Sequence, residues 1–205
     1  MAQSGIALIA GLGNPGNQYA ASRHNVGFWF IERLQFSMGF RLTGEKRFKA
    51  EVGSVNINGR AVRIMVPNTF MNLSGEALAP LASFYRIPAE QILVIHDELD
   101  LAPGTARLKF SGGHGGHNGL RDIVTRLGSR DFTRLRLGIG HPGPNRDVSS
   151  YVLNRPDAHD RMLIEKAVDA SLEVLDDVVA GNLDKAMTRL HTITEPGIGD
   201  SSHEI

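Results

Sequence analysis

Six polar residues of this chain have the side chains that hydrolytic chemistry uses: Asn14, His24, Asn72, Asp97, His117 and Asn118. Each falls in a loop or at a helix start, just beyond a predicted strand or loop. If those edges coincide in space, the six share one cleft. Asp97 sits where the apolar run Gln91-Ile92-Leu93-Val94-Ile95 gives out, so it should be partly buried and need a cationic or donor partner. His24 suits that role. An Asp–His pair orients an imidazole and stabilises its protonated form, and asparagine amides can position a water and the oxygen of a tetrahedral intermediate. Each residue also has a plainer use. An Asp at a strand end is often a turn or cap residue, a histidine before a helix a capping or surface residue, and an Asn a backbone-bonding turn residue. Only their joint occurrence favours a catalytic cleft.

Two other site classes compete. His114-x-x-His117 with His96 or Asp97 offers zinc ligands, but zinc pairs at that spacing usually sit on a regular element, and this one lies among glycines. A serine nucleophile would need a G-x-S-x-G elbow, which does not occur.

The elements that must position these residues begin with Gly11–Asn25, GLGNPGNQYAASRHN. It follows a short apolar run, Ile6-Ala7-Leu8-Ile9-Ala10, that reads as a buried strand. A helix begins near His24, with Val26, Phe28, Phe30, Ile31 and Leu34 at mixed three- and four-residue steps. His24 therefore lies at the strand-to-helix edge of a sheet, where open α/β sheets place ligands. The segment Gly11-Leu12-Gly13-Asn14-Pro15-Gly16 also fits G-x-G-x-x-G, but its context fails. In the dinucleotide fingerprint the helix opens inside the motif; here it starts after Tyr19, and Glu32, at the spacing of the expected acid, falls within the helix.

The rest of the chain alternates strand and helix. Phe48–Ile57 and Ala61–Val66 read as strands joined by an Asn58-Gly59 hairpin turn. Pro67–Asn72 is a loop. A helix follows over about 73–85, with Pro80 expected to kink it, then strands at 91–95 and 106–110. The glycine-rich run Ser111–Gly119 suits a mobile loop or close backbone approach to a ligand. A helix through Leu120, Ile123, Val124 and Leu127, a strand at 132–139 and two helices at 157–180 and 183–191 complete the pattern. The expectation is a single α/β domain over residues 1–195, with a mixed, mostly parallel twisted sheet and helices on both faces. The tail 196–205 is expected to be disordered.

With 205 residues the chain can bury a sizeable core. Its formal charge is zero but unevenly spread: residues 107–136 carry 7 bases against 2 acids, and residues 157–205 carry 11 acids against 4 bases. The basic segment points to a polyanion partner or, more plainly, to solvated helix faces. Cysteine is absent, which removes disulfides, thiolate nucleophiles and cysteine metal sites. No apolar run approaches a membrane span and no basic leader is present, so a soluble cytoplasmic protein is expected.

Several long motifs, in order, resemble those of bacterial-type peptidyl-tRNA hydrolases. They are Gly16-Asn17-Gln18-Tyr19-Ala20-Ala21-Ser22-Arg23-His24-Asn25-Val26-Gly27, Thr69-Phe70-Met71-Asn72-Leu73-Ser74-Gly75, His96-Asp97-Glu98-Leu99-Asp100, Gly113–Asp122 and Arg134–Gly143. The resemblance spans roughly Ile6 to Leu190. It implies a monomeric α/β enzyme with no metal, no organic cofactor and no obligate protein partner. The implied reaction is hydrolysis of the ester between a peptide and the 3′-terminal ribose of tRNA, which recycles tRNA from prematurely released peptidyl-tRNA. By the same resemblance His24 is the base that activates water, Asp97 its orienting partner, and Asn14 a further catalytic residue. Tyr19, Met71, Asn72, His117 and Asn118 line the substrate site, and Lys109 and Arg136 grip the tRNA 5′-phosphate.

Overall fold

The computed structural model describes residues 5–194. The expected tail from Pro196 lies outside them. β1 (Leu8–Gly11) leads through a turn and a short 3-10 segment, Arg23–Asn25, into α1 (Val26–Met38). β2 (Thr43–Glu45), β3 (Ala50–Ile57) and β4 (Arg60–Pro67) form an antiparallel run. Asn58 and Gly59, with φ of 50° and 80°, turn the β3–β4 hairpin as their sequence predicts. Then come α2 (Ser74–Phe84), β5 (Ile92–Glu98), β6 (Ala106–Phe110), α3 (Asn118–Leu127) and β7 (Thr133–Gly138). The helices α4 (Val148–Leu153), α5 (Ala158–Glu173), α6 (Leu175–Ala180) and α7 (Leu183–Ile193) follow.

All seven strands join one sheet in the order β2-β3-β4-β1-β5-β7-β6. The four central strands are parallel; β3 on one side and β6 on the other run against them, and the edge strand β2 pairs antiparallel with β3. Alternate side chains divide the core into two layers, as the period of a strand requires. Ile9, Ile64, Leu93 and Ile95 pack with α1 and the C-terminal helices, whereas Leu8, Ala10, Met65 and Val94 pack with α2 and α3. Helices thus cover both faces.

The structure departs from the sequence reading in four places. The helix expected over 157–180 breaks at Val174, whose φ of −103° and ψ of 0° redirect the chain so that Leu175, Val178 and Val179 enter the core. No Gly or Pro marks that break, so it left no local signal. The strand expected from Phe48 starts at Ala50, after a 3-10 turn at Lys46–Phe48 and a left-handed Lys49. β2 is three exposed residues held only by pairing with β3. α4 is a single polar-capped turn and a half, with Asp147 accepting from the Ser149 amide.

Candidate active site

The site begins with how closely α1 crosses the sheet. A Cβ on Gly27 would fall 2.4 Å from the Leu12 amide nitrogen and 2.5 Å from the Ile95 carbonyl oxygen. Only glycine lets the helix start lie directly on the ends of β1 and β5. The 3-10 turn just before it then hangs over the carboxyl end of β5, and His24 meets Asp97. Gly11 serves the same crossing from the strand side: a Cβ there would fall 2.4 Å from the Gly27 carbonyl oxygen.

His24 Nδ1 lies 2.8 Å from Asp97 Oδ1. From the opposite face of the sheet, His117 Nε2 reaches the same oxygen at 2.9 Å. His117 is also the N-cap of α3: its Nδ1 accepts from the amides of Gly119 and Leu120 at 3.2 and 3.3 Å. Those two donors fix the tautomer, so His117 Nε2 carries the proton it gives to Asp97. The plainer reading of a histidine before a helix therefore holds for His117, which caps and contacts the site at once. His24 Nδ1–H likewise donates to Asp97, which leaves Nε2, the free lone pair, at the cavity.

Asp97 is 3% exposed. Burial alone would raise its pKa, but the His24 charge and the hydrogen bonds from His24 and His117 outweigh it and hold the carboxyl below the usual carboxylate range. Burial also pulls the His24 pKa down; the Asp97 charge and hydrogen bond exceed that, and the net shift is upward. The neighbouring His96 goes the other way. It points into the α2–α3 layer, donates Nδ1–H to the Asp97 carbonyl at 2.7 Å and packs edge-on to His117 at 4.9 Å. Burial first, then the His117 ring, push its pKa down to about 3.

Asn14 is held by three bonds. Its amide donates to Asn25 Oδ1 at 2.8 Å, Asn25 Nδ2 donates to its carbonyl at 2.9 Å, and its own Oδ1 accepts from the Met71 amide at 2.7 Å. Because a backbone N–H needs an acceptor, the amide orientation follows: Oδ1 faces Met71 and Nδ2, a donor, faces the cavity. Asn25 was not singled out from the sequence, although it ends the Gly11–Asn25 stretch; its role depends on an eleven-residue loop closing on itself.

These groups line one cavity of about 430 Å³. His24, Asp97 and His117 lie at its base with Asn14 and Met71, and the exposed amides of Asn72 and Asn118 also line it. Tyr19 and Phe70 meet edge-to-face at 6.3 Å, and Val148, Val152 and Leu153 of α4 add an apolar side. Phe70 and α4 escaped the sequence reading. So did Asp122, whose Oδ2 accepts from the Gly75 and Glu76 amides at 2.8 and 3.2 Å and so caps α2 behind the Asn72 turn.

Among the described residues, the three-ligand group whose atoms converge is His24, Asp97 and His117, within 4.8 Å of one another. An ion there would displace both hydrogen bonds to Asp97. The competing His114–His117 pairing, disfavoured from the sequence, does not form such a group among the described residues; His114 Nδ1 accepts instead from the Gly116 amide at 3.1 Å.

Lys109 and Arg136 lie outside the cavity, on β6 and β7. In the β6–β7 register Arg107 faces Arg136 and Lys109 faces Arg134, so four cations share one side of that strand pair. Arg136 pairs with Glu98 at 2.9 Å, Arg107 bonds the Ala106 carbonyl and Thr194, and Arg126 on α3 pairs with Asp122. Lys109 is exposed and makes no ion pair among the described residues. The charge count of this segment thus overstated the uncommitted charge.

A family model for peptidyl-tRNA hydrolase matches residues 8–197. The peptidyl-tRNA hydrolase of Pasteurella multocida is 53% identical over 92% of this chain and 97% of its own length, and that of Haemophilus influenzae is 53% identical over 92% and 98%. The crystal structure of the Acinetobacter baumannii peptidyl-tRNA hydrolase superposes with a TM-score of 0.89 at 46% identity, covering 92% of this chain and 96% of that one. A crystal structure of a peptidyl-tRNA hydrolase in complex with N-propanol gives 0.90 at 46% identity. No helix among the described residues is long and apolar enough to cross a membrane. The chain belongs to the peptidyl-tRNA hydrolase family of enzymes.

Proposed function

We propose that this chain cleaves the ester joining a peptide to the 3′-terminal ribose of tRNA, with water activated by His24. The observation that carries the reading is the 2.8 Å bond from His24 Nδ1 to a buried, ionised Asp97, which turns Nε2 toward the cavity as a base. Water held at Nε2 attacks the ester carbonyl carbon and gives its proton to the imidazole. Charge gathers on the carbonyl oxygen, where the Asn14 Nδ2 donor, with Asn72 and Asn118, offers hydrogen bonds. The imidazolium then returns the proton to the ribose oxygen as the C–O bond breaks, releasing peptide acid and tRNA. Asp97 orients the ring and stabilises its charged form, and the second bond from His117 keeps Asp97 in place. An activated ester needs no more than this: a positioned base typically contributes about 10²–10⁴-fold.

Tyr19, Met71, Asn72, His117 and Asn118 form the substrate walls, and Lys109 with Arg136 meets the tRNA 5′-phosphate. The enzyme works as a monomer in the cytoplasm, without metal or organic cofactor. The convergence of His24, Asp97 and His117 also favours a second reading, metal-dependent hydrolysis. Incubation with N-acylated aminoacyl-tRNA, with and without exhaustive chelation, separates the two. Deacylated tRNA should appear at the same rate in both arms. Loss on chelation, restored by one divalent ion, would establish the metal reading; tRNA bound but never deacylated would leave only a binding protein.

A further inference from the structure

We propose that Arg134 is a positioning residue for the reaction: its guanidinium anchors the carbonyls of Gly112 and Gly113 and so holds the wall that delivers His117 to Asp97. The side chain rises from β7 beneath the loop between β6 and α3. One Nη donates to the Gly113 carbonyl, and the other donates to the Gly112 carbonyl at 2.6 Å. The guanidinium lies over the Phe132 ring at 4.7 Å, and the residue is 3% exposed. Among the described residues it forms no ion pair with a carboxylate, and its Nε is buried without a partner.

A buried cation bonded only to carbonyls is costly to place, so its use must lie in the geometry it imposes. Arg presents a rigid planar fork, and two neighbouring carbonyls suit it as two donors at fixed separation. The loop needs such an anchor. A glycine-rich segment has more freedom to lose than any other, and this one lifts off β6 through left-handed Ser111 and Gly112, with φ of 60° and 114°. Ser111 is tied to Phe132 and Asp131 at its start, and the His117 amide to the His114 carbonyl at its end. Between those ties Arg134 supplies the bonds to the sheet. The same loop supports Lys109, whose Cε would stand 3.0 Å from a Cβ on Gly112. Arg134 is thus the joint between the phosphate grip and the hydrolytic centre, and this inference rests on the hydrolytic reading given above.

The test compares Arg134→Lys and Arg134→Gln with the parent enzyme, after circular dichroism and melting confirm that they fold. Lys restores the charge but not the fork. On a minimal peptidyl-nucleotide ester, which never reaches Lys109, kcat should fall about 10- to 100-fold in both variants, as small misplacements of a site do. KM should change far less, and the acidic limb of the pH profile should stay in place, because the His24–Asp97 bond is untouched. A folded variant with kcat within about twofold of the parent on that ester would overturn the proposal; such a variant could still bind full-length tRNA less well through lost charge. If neither variant folds, guanidinium NMR of the parent decides. Separately resolved, slowly rotating Arg134 Nη signals support the anchor, and averaged signals in an active parent overturn it. A parent that cleaves neither substrate would instead defeat the hydrolytic reading itself.

Discussion

The Asp97 pocket and the Lys109–Arg136 face stand on neighbouring strands of one sheet and are built on opposite terms. Asp97 is almost wholly buried, takes hydrogen bonds from two faces of the sheet, and has its partners fixed in turn by the close approach at Gly27 and by a helix cap. Among the described residues Lys109 is exposed on a long stem without an ion pair, and Arg136 is a quarter exposed and bonded to Glu98. A proton transfer depends on tenths of an ångström and gains from low dielectric. A phosphate grip depends on charge and tolerates motion in water, where it acts through counterion release. Under the proposed function the pocket serves chemistry and the face holding, so substitutions in the two regions should fail in different ways.

The largest effect is expected at His24. His24→Ala removes the base while leaving every cation of β6 and β7, so turnover should drop by about 10² or more with tRNA affinity nearly unchanged. His114→Ala is the control from the cavity rim: its Nδ1 bonds only within its own loop, and turnover should stay close to normal. Single-turnover rates and filter binding on the same preparations give both numbers. Near-normal turnover in His24→Ala would remove the distinction between the regions.

Asp97→Asn comes next, and it carries a sign. In the proposed mechanism the working base is neutral imidazole, and the Asp97 charge raises the His24 pKa above its ordinary 6.5 despite burial. Activity of the parent should therefore rise with pH through that elevated value. Without the carboxylate the charged imidazole loses its support, so the acidic limb of the kcat/KM profile should move to lower pH. The plateau should also fall, by about tenfold, because the ring loses the acceptor that orients it. An unmoved limb would mean that the two side chains do not interact in solution.

The uneven legibility of the two regions follows from the same contrast. His24, Asp97, Asn14, Asn72, His117 and Asn118 were readable as one cleft because each follows a strand or loop whose apolar pattern is strong, and open α/β sheets bring such edges together. The central parallel strands and the two core layers were legible for that reason too. What held these residues was not. Asn25 acts across a loop, Asp122 caps a helix remote in sequence, and α4, six residues long, is too short to show a helical period. On the basic face the error ran the other way. Counting Arg107, Arg134 and Arg136 as available charge ignored the Thr194 hydroxyl, the loop carbonyls and the Glu98 carboxylate that hold them, none of which enters a local charge count.

The smallest expected effect on the chemical step belongs to the grip, and it is the one that tests the division between the regions most directly. Lys109 offers a point charge and Arg136 a planar fork, both suited to a terminal phosphate. Arg136 must give up or share Glu98 to meet one, so its net contribution is the difference between two charge-assisted bonds and is modest. Replacing both residues by Ala should weaken kcat/KM for full-length peptidyl-tRNA by about tenfold at low salt, and by less as salt rises, because fewer counterions are left to release. The salt slope of log affinity should flatten by about one to two. Cleavage of a minimal peptidyl-nucleotide ester should scarcely change, since it never reaches β6, and phosphate contacts position a substrate without entering its chemistry. Measuring both substrates in both proteins at two salt concentrations decides the matter: an equal loss on the short and the long substrate would merge the two regions into one site.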